Sequence, residues 1–174
     1  MDNEEESLRD KKREEWIESQ WKIVESIYHQ AYVGFEKRAD ISDSLHHRRV
    51  SDYINMERTE MADVLRDVLE DTDWTIEKIA AEGICPKVIE ALRYLVREPD
   101  EPYMEYVKRV TQNDIAALVT LGYIQEGLEI KRFKCLTNYD FKYLNMLLEA
   151  YHYLEDLELQ KYENGHYEDL FKEF

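Results

Sequence analysis

The sequence predicts an all-α protein folded as a single-domain helical bundle. Of its 174 residues, 44% are hydrophobic, and only 5 glycines and 3 prolines interrupt the chain. Apolar residues recur at helical spacing, and no segment keeps the strict alternation of a half-buried strand. A chain of this length can enclose one sizeable hydrophobic core. These observations favour one domain built from packed helices.

The first predicted helix runs from the charged N-terminus to about Phe35. Its apolar residues Ile17, Trp21, Val24 and Tyr28 recur every three or four positions, which places them on one helix face. Such a stripe normally packs against a core or a partner. After a loop at 36–42, the periodicity predicts further helices at 44–56, 58–70, 76–82, 87–96, 103–111, 115–130 and 138–162.

Local signals mark where several of these helices begin and end. Thr75 and Asn113 have the side chains of good N-caps, because their oxygens can accept a hydrogen bond from a free backbone N–H. Gly83 suits the end of the short helix at 76–82, and Pro86 suits the first turn of the next one. The boundaries are therefore predicted by chemistry as well as by hydrophobic spacing.

The charge balance restricts the partners of the protein. It has 23 basic and 39 acidic residues, a formal net charge of −16, which repels nucleic acid and anionic membranes. The longest nearly apolar run, Ile115 to Ile124, is too short to span a bilayer, and the polar N-terminus has no signal-peptide pattern. Cys85 and Cys135 fit buried free thiols in a reducing compartment. We expect a cytoplasmic protein that binds neither nucleic acid nor membranes.

An acidic cluster ends the helix predicted at 58–70. Asp67, Glu70 and Asp71 lie at positions i, i+3 and i+4, so their carboxylates crowd one helix face. Like charges at this spacing are mildly destabilising unless a cation lies among them. The cluster is either a solvated acidic helix end or a site that holds a metal or performs phosphate chemistry.

The string from Asp67 to Thr75, with Glu70, Asp71 and Thr72 in order, resembles the HD-domain phosphohydrolases. It is most similar to the guanosine polyphosphate (ppGpp) hydrolases and to the hydrolase half of stringent-response enzymes. The resemblance covers residues 31–154, with a helical extension at 1–30 before it and an acidic aromatic tail at 155–174 after it. Its further landmarks are Ala31, Gly34, His46, Arg49, Val50, Glu82, Gly83, 88–92, Tyr103, Tyr106, Asn113, Ile115, Ala116, Arg132, Thr137, Asp140, Ala150, Tyr151 and Leu154.

The resemblance implies a metal site of two histidines and two aspartates, of which only half is present. His46 and Asp67 match two ligands, but Arg66 replaces the histidine of the His-Asp pair and Tyr123 replaces the last aspartate. A guanidinium offers no lone pair to a metal, and a neutral phenol is a poor ligand for a hard cation. A further family histidine, beside Ala31, is Tyr32 here.

The implied substrate cradle has also lost its polar groups. A family basic residue is Glu36, the asparagine after the last metal ligand is Gly127, and an arginine and a Lys-Tyr pair are Tyr143 and Met146-Leu147. A guanosine polyphosphate would meet few cationic groups here. The resemblance therefore implies the HD fold more strongly than the HD activity.

The favoured interpretation is a degenerate, non-catalytic HD-type protein that binds or regulates a protein partner or a small anionic ligand. The alternative is a metal-dependent nucleotide or phosphate-ester hydrolase. In that case His46 and Asp67 would bind manganese or another divalent metal, and Glu70 and Asp71 would be its acid–base groups. A scaffold without any ligand is a third possibility, and oligomerisation is left open.

The role of Arg66 decides between these interpretations. It is either an exposed arginine at a helix end or an internal cation that compensates Asp67, Glu70 and Asp71 in place of a metal. The resemblance favours the second, because the position points inward in the family, and it predicts a hydrogen bond from Arg66 to at least one carboxylate. His46 is more often a hydrogen-bonded structural histidine than a ligand. The tyrosines near the C-terminus are more often packing residues than stacking platforms.

Overall fold

A computed structural model describes residues 3–33 and 57–164, and throughout these two ranges the regular structure is helical, without a strand. The all-α prediction is confirmed. The α-helices are α1 (Asn3–Ala31), α2 (Glu57–Asp71), α3 (Ile76–Ala81), α4 (Pro86–Leu95), α5 (Tyr103–Val110), α6 (Asp114–Gly127) and α7 (Asn138–Glu163), with a 3-10 turn at Ile130–Arg132. The helix predicted at 44–56 lies outside the described residues.

The predicted helix boundaries follow from their capping residues. The Thr75 hydroxyl accepts a hydrogen bond from the Lys78 N–H at 3.3 Å and begins α3. Gly83 follows that helix with a φ of +95°, which a glycine adopts at little cost. The Asn113 side-chain oxygen accepts from the Ala116 N–H at 3.0 Å and begins α6.

Hydrophobic spacing alone did not predict the end of α6 or the residues that fix the start of α7. The helix predicted at 115–130 is too long, because α6 ends at Gly127 and a separate 3-10 turn begins at Ile130. The start of α7 is fixed by a capping box, in which the Thr137 N–H donates to Oδ2 of Asp140 at 2.7 Å and the Thr137 hydroxyl oxygen accepts from the Asp140 N–H at 3.4 Å. Its end agrees with the predicted one to within a residue.

Helices α2 and α6 form the centre of the bundle. The first packs against α1, α4 and α6, and the second packs against α2, α4, α5 and α7. Because α6 meets helices on several sides, it is apolar around most of its circumference. Every one of the helices α1 to α7 contributes a large, fully buried side chain to the core, among them Ile27, Met61, Leu65, Ile79, Leu92, Leu95, Val107, Ile124 and Leu154.

The second half of α1 and the end of α7 belong to this bundle. Val24 and Ile27 of α1 are buried in the core, and the Trp21 Nε1–H donates to Oε2 of Glu57 at 3.1 Å. Near the end of α7, the Lys161 ammonium donates to Asp114 and to Glu158, each at 2.8 Å. The divisions predicted at 30/31 and 154/155 therefore fall inside α1 and α7.

Arg109 of α5 holds the loop between α4 and α5. Its Nε and Nη2 donate to the two carboxylate oxygens of Glu101, both at 2.8 Å. Its Nη1 donates to the Tyr94 carbonyl at 2.9 Å, and Nη2 donates also to the Val96 carbonyl at 3.0 Å. One guanidinium thus joins the end of α4, the loop and α5.

No helix within residues 3–33 and 57–164 is both long and apolar enough to cross a membrane. The two cysteines are free, as predicted. Their predicted burial is wrong for Cys135, which is exposed in the segment that leads to α7, while Cys85 is half-buried ahead of α4.

Candidate functional site

Arg66 lies inside the bundle, on the face of α2 that packs against α6. Only 8% of the residue is exposed to solvent. The interpretation of Arg66 as an exposed helix-end residue is therefore wrong. The inward position follows from helix geometry, because Arg66 lies one turn beyond the buried Ala62 and beside the buried Leu65.

The guanidinium of Arg66 contacts three side chains. Its Nη2 donates to Oδ1 of Asp67 at 3.3 Å, which confirms the predicted hydrogen bond to a carboxylate. Its Nε lies 3.2 Å from Oε1 of Glu70, an ion pair whose atoms are not aligned for a hydrogen bond. Its Cζ lies 3.2 Å from the centroid of the Tyr123 ring, so the two planar groups are in van der Waals contact.

Tyr123 completes this contact from the neighbouring helix. The ring lies on α6, and its hydroxyl donates to Oδ1 of Asp67 at 2.9 Å. The same carboxylate oxygen therefore accepts from both Arg66 and Tyr123. Arg66 and Tyr123 are the two residues that the HD resemblance aligns with missing metal ligands, and both contact Asp67, which it aligns with a ligand.

Tyr32 reaches the same carboxylates from a third part of the chain. Tyr32, just after α1, donates its hydroxyl hydrogen bond at 3.3 Å to Oδ2 of Asp71 and lies 3.4 Å from the Asp67 carbonyl. Its ring is buried, with 8% of the residue exposed. Tyr32, Arg66 and Tyr123 thus converge from three helical segments on one acidic cluster. We call Tyr32, Arg66, Asp67, Glu70, Asp71 and Tyr123 the arginine–tyrosine centre.

Asp63 is a member of this region that the sequence reasoning missed. It is almost completely buried, with 1% exposure, and it lies one turn before Arg66 and Asp67 on α2. Its carboxylate is close enough to Arg66 to raise the pKa of the guanidinium. The signal was present in the sequence, because Asp63, Asp67 and Glu70 recur at i, i+4 and i+7 on one helix face.

The electrostatics of the centre are dominated by an excess of acid. Burial lowers the pKa of Arg66, but its neighbours Tyr123, Glu70 and Asp67 outweigh burial and raise it. Partial burial raises the pKa of Glu70, and Arg66 offsets this only in part because Asp67 and Asp71 add to it. Burial also raises the pKa of the Tyr123 phenol, which is therefore a neutral hydrogen-bond donor.

The described residues do not fit a divalent metal at the HD position. Asp67 is the single matching ligand among them, and its Oδ1 is occupied by two donors. A dication bound there would lie against the permanent charge of Arg66. Within the described ranges no three histidine, cysteine, aspartate or glutamate side chains are grouped to hold a metal. His46, the other predicted ligand, lies outside the described residues.

The region of the implied substrate cradle is filled by apolar packing. A Cβ added to Gly127, at the end of α6, would lie 2.7 Å from Cδ1 of Leu147 and 3.9 Å from the Tyr143 hydroxyl. The glycine therefore allows α7 to approach α6 closely. Leu147 is buried, where the resemblance places a polar side chain. Glu36 lies outside the described residues.

The remaining histidines and the tyrosines of α7 differ in their exposure to solvent. His29 and His152 are exposed, which is typical of histidines without a ligand role, while His47 and His166 lie outside the described residues. Tyr151 and Tyr153 pack against the core, but the packing interpretation is wrong for Tyr139 and Tyr143, which are 77% and 41% exposed. Residues 155–163 of the predicted tail continue α7, and 165–174 lie outside the described residues.

Neither protein-family models nor curated proteins match this chain. The HD resemblance therefore rests on the matching residues alone. The helical bundle and the arginine–tyrosine centre stand independently of it, because they follow from the described contacts.

Proposed function

We propose that the protein is a non-catalytic relative of the HD-domain hydrolases, in which the arginine–tyrosine centre takes the place of the metal site. It would act by binding or regulating a partner rather than by hydrolysis. The observation that carries this proposal is the position of the Arg66 guanidinium, stacked on Tyr123 and hydrogen-bonded to Asp67. The two residues that would replace metal ligands, Arg66 and Tyr123, contact each other and both donate to Asp67.

The chemistry of the centre supports a structural role for its charge. A guanidinium can neutralise carboxylates, but it cannot coordinate a water molecule or lower the pKa of that water as a metal does. Tyr123 remains protonated, so it donates to Asp67 instead of acting as a base. The carboxylates have donors in the positions where a metal would otherwise compensate them.

The hydrolase alternative requires a different arrangement of the same residues. Arg66 would have to leave its buried position, and Asp67 would have to exchange two hydrogen bonds for a metal ion. Glu70 and Asp71 would then be free to assist a water molecule. None of the described contacts favours this arrangement, because each gives a carboxylate a donor or a cation that belongs to the protein itself.

The test combines activity with metal binding. The wild-type protein, assayed for product release from ppGpp with excess manganese at neutral pH, should show no turnover. Titration calorimetry should show weak manganese binding to the wild type and tight binding to the double variant Arg66→His, Tyr123→Asp, because that variant supplies two donors of the required type.

A control separates ligand restoration from simple loss of the arginine. The variant Arg66→Leu, Tyr123→Phe removes the same two groups without adding a metal ligand, and it should bind manganese as weakly as the wild type. Turnover by the wild type near ~1 per second, within the usual enzyme range, would contradict the proposal. Equal, weak binding by the wild type and the His/Asp variant would show that Arg66 and Tyr123 do not occupy ligand positions.

A further inference from the structure

Helix α7 carries a row of apolar side chains on its solvent side. Phe141, Leu148 and Leu159 are 54%, 42% and 54% exposed. They are separated by 7 and 11 residues, which correspond to about two and three helical turns, so they point in nearly the same direction. The row extends over about 27 Å at the rise of an α-helix.

This row lies beside the face that α7 packs into the bundle, about a third of a turn around the helix. The inward face consists of Leu144, Leu147, Ala150 and Leu154, all buried. Scattered exposed apolar residues are normal on protein surfaces. Three large ones aligned along one helix form a stripe, which is the pattern by which helices recognise other helices.

The edges of the apolar row are acidic. Glu149, Asp156 and Glu163 are exposed along one edge, and Glu155 lies on the other, where it pairs with Tyr151 and His152. The basic residues of α7 do not balance them. Lys161 points inward to Asp114 and Glu158, which leaves the exposed Lys142 near the start of the helix.

We propose that this face of α7 is a docking surface for a basic amphipathic helix of a protein partner. Apolar side chains of that helix would cover Phe141, Leu148 and Leu159, and its lysines or arginines would lie against the acidic edges. The inference extends the proposed function, because it gives the chemistry of a partner through which a non-catalytic protein acts.

Charge complementarity selects this partner over two others. A second copy of the chain would bring the same acidic edges together, and like charges across an interface oppose association. An anionic membrane would be repelled by these edges and by the net charge of −16. A basic helix satisfies both the apolar row and its edges.

The test uses the full-length protein and a synthetic probe, an amphipathic helical peptide with leucines on one face and lysines on its flanks. Binding is measured by fluorescence anisotropy. Because an acidic protein attracts any basic peptide, a peptide of the same composition in scrambled order measures the non-specific part. The amphipathic peptide should bind at least about tenfold more tightly than the scrambled one.

Matched variants locate the binding surface. The triple change Phe141→Ser, Leu148→Ser, Leu159→Ser should weaken binding of the amphipathic peptide about tenfold or more. A control removes three apolar side chains that are at least as exposed elsewhere, Leu8, Val33 and Ile130, by the same change to serine, and it should bind as the wild type does. A second variant, Glu149→Lys with Asp156→Lys, should weaken binding and reduce its salt dependence.

Three results would overturn the inference. The first is equal affinity for the amphipathic and scrambled peptides, and the second is equal loss in the two serine triple variants. The third is a wild-type dimer, seen by sedimentation, that the α7 changes dissociate, which would make a second copy the occupant. None of these results affects the manganese titration, so failure of this surface and failure of the proposed function are distinguishable.

Discussion

Arg66 and Arg109 are two arginines that pair with carboxylates in opposite electrostatic settings. Arg109 makes four hydrogen bonds at 2.8–3.0 Å to one carboxylate and two backbone carbonyls. Arg66 makes contacts of 3.2–3.3 Å to two carboxylates and lies against an aromatic ring. Arg109 has well-formed hydrogen bonds, while Arg66 is buried among several carboxylates whose total negative charge exceeds its single positive charge.

The pKa values of the paired carboxylates, Glu101 and Glu70, shift in opposite directions. Hydrogen bonding to Arg109 lowers the pKa of Glu101 to about 2. Burial and the neighbouring aspartates raise the pKa of Glu70 in spite of Arg66. The effect of an arginine on the pKa of a neighbouring carboxylate therefore depends on the surroundings. They determine whether the attraction of the cation, which lowers the pKa, is larger than the desolvation, which raises it.

The largest expected effect is that of replacing the two arginines by alanine. Arg66→Ala leaves several carboxylates without their cation inside the bundle and should cost about 3 kcal/mol, which lowers the melting temperature of a chain of this size by about 6–12 °C. Arg109→Ala should cost about 2 kcal/mol, because the Arg109 side chain is itself nearer to solvent than that of Arg66. Thermal unfolding at neutral pH measures both losses.

The pH dependence of these losses distinguishes the two settings. In Arg66→Ala, protonation removes the uncompensated charges, so the loss relative to wild type should shrink at about pH 4.5. In Arg109→Ala the loss should persist, because wild-type Glu101 remains ionised and paired there. If Arg66→Ala melts with the wild type at neutral pH, the charge of Arg66 does not hold the centre together.

Much of the fold was predictable because its signals are local. The caps Thr75 and Asn113 act within three residues of their own position, so the sequence was sufficient for them. The acidic spacing around Asp67 also predicted a compensating cation. By contrast, the Tyr123 and Tyr32 contacts join residues 56 and 35 positions from Asp67, and only the packing of three helices brings them together. The exposure of Tyr139 likewise depends on where α7 meets the bundle.

A smaller effect is expected from the tyrosine that distinguishes the Arg66 setting. Tyr123→Phe keeps the ring under the guanidinium but removes the 2.9 Å hydrogen bond to Asp67, at a cost of about 1–2 kcal/mol. The control is Tyr106→Phe, which removes a longer contact of 3.4 Å to the Thr120 hydroxyl and should cost less. Equal melting temperatures for the two variants would show that the Tyr123 hydroxyl adds nothing to the centre.

The smallest effect, and the most direct test of the comparison, concerns the two glutamates. The raised pKa of Glu70 means that the folded state binds its proton more tightly than the unfolded state does. Its contribution to stability is full below the unfolded pKa of about 4.5 and is lost as pH rises through the folded pKa. Glu70→Gln should therefore raise the melting temperature slightly at neutral pH. Because the Glu70 side chain is 58% exposed, the gain should stay below about 1 kcal/mol.

The pKa of Glu101 shifts on folding in the opposite direction to that of Glu70. Its lowered pKa means that the folded state favours the ionised carboxylate, so its contribution is present above about pH 4.5 and is lost as pH falls toward about 2. Glu101→Gln should lower the melting temperature at neutral pH, and the difference from wild type should vanish in strong acid. Thermal unfolding of the two glutamine variants across this pH range measures both signs. If both variants are destabilised at neutral pH, Arg66 stabilises ionised Glu70 more than burial and the neighbouring carboxylates destabilise it. The environments of Arg66 and Arg109 would then have the same electrostatic effect on their glutamates.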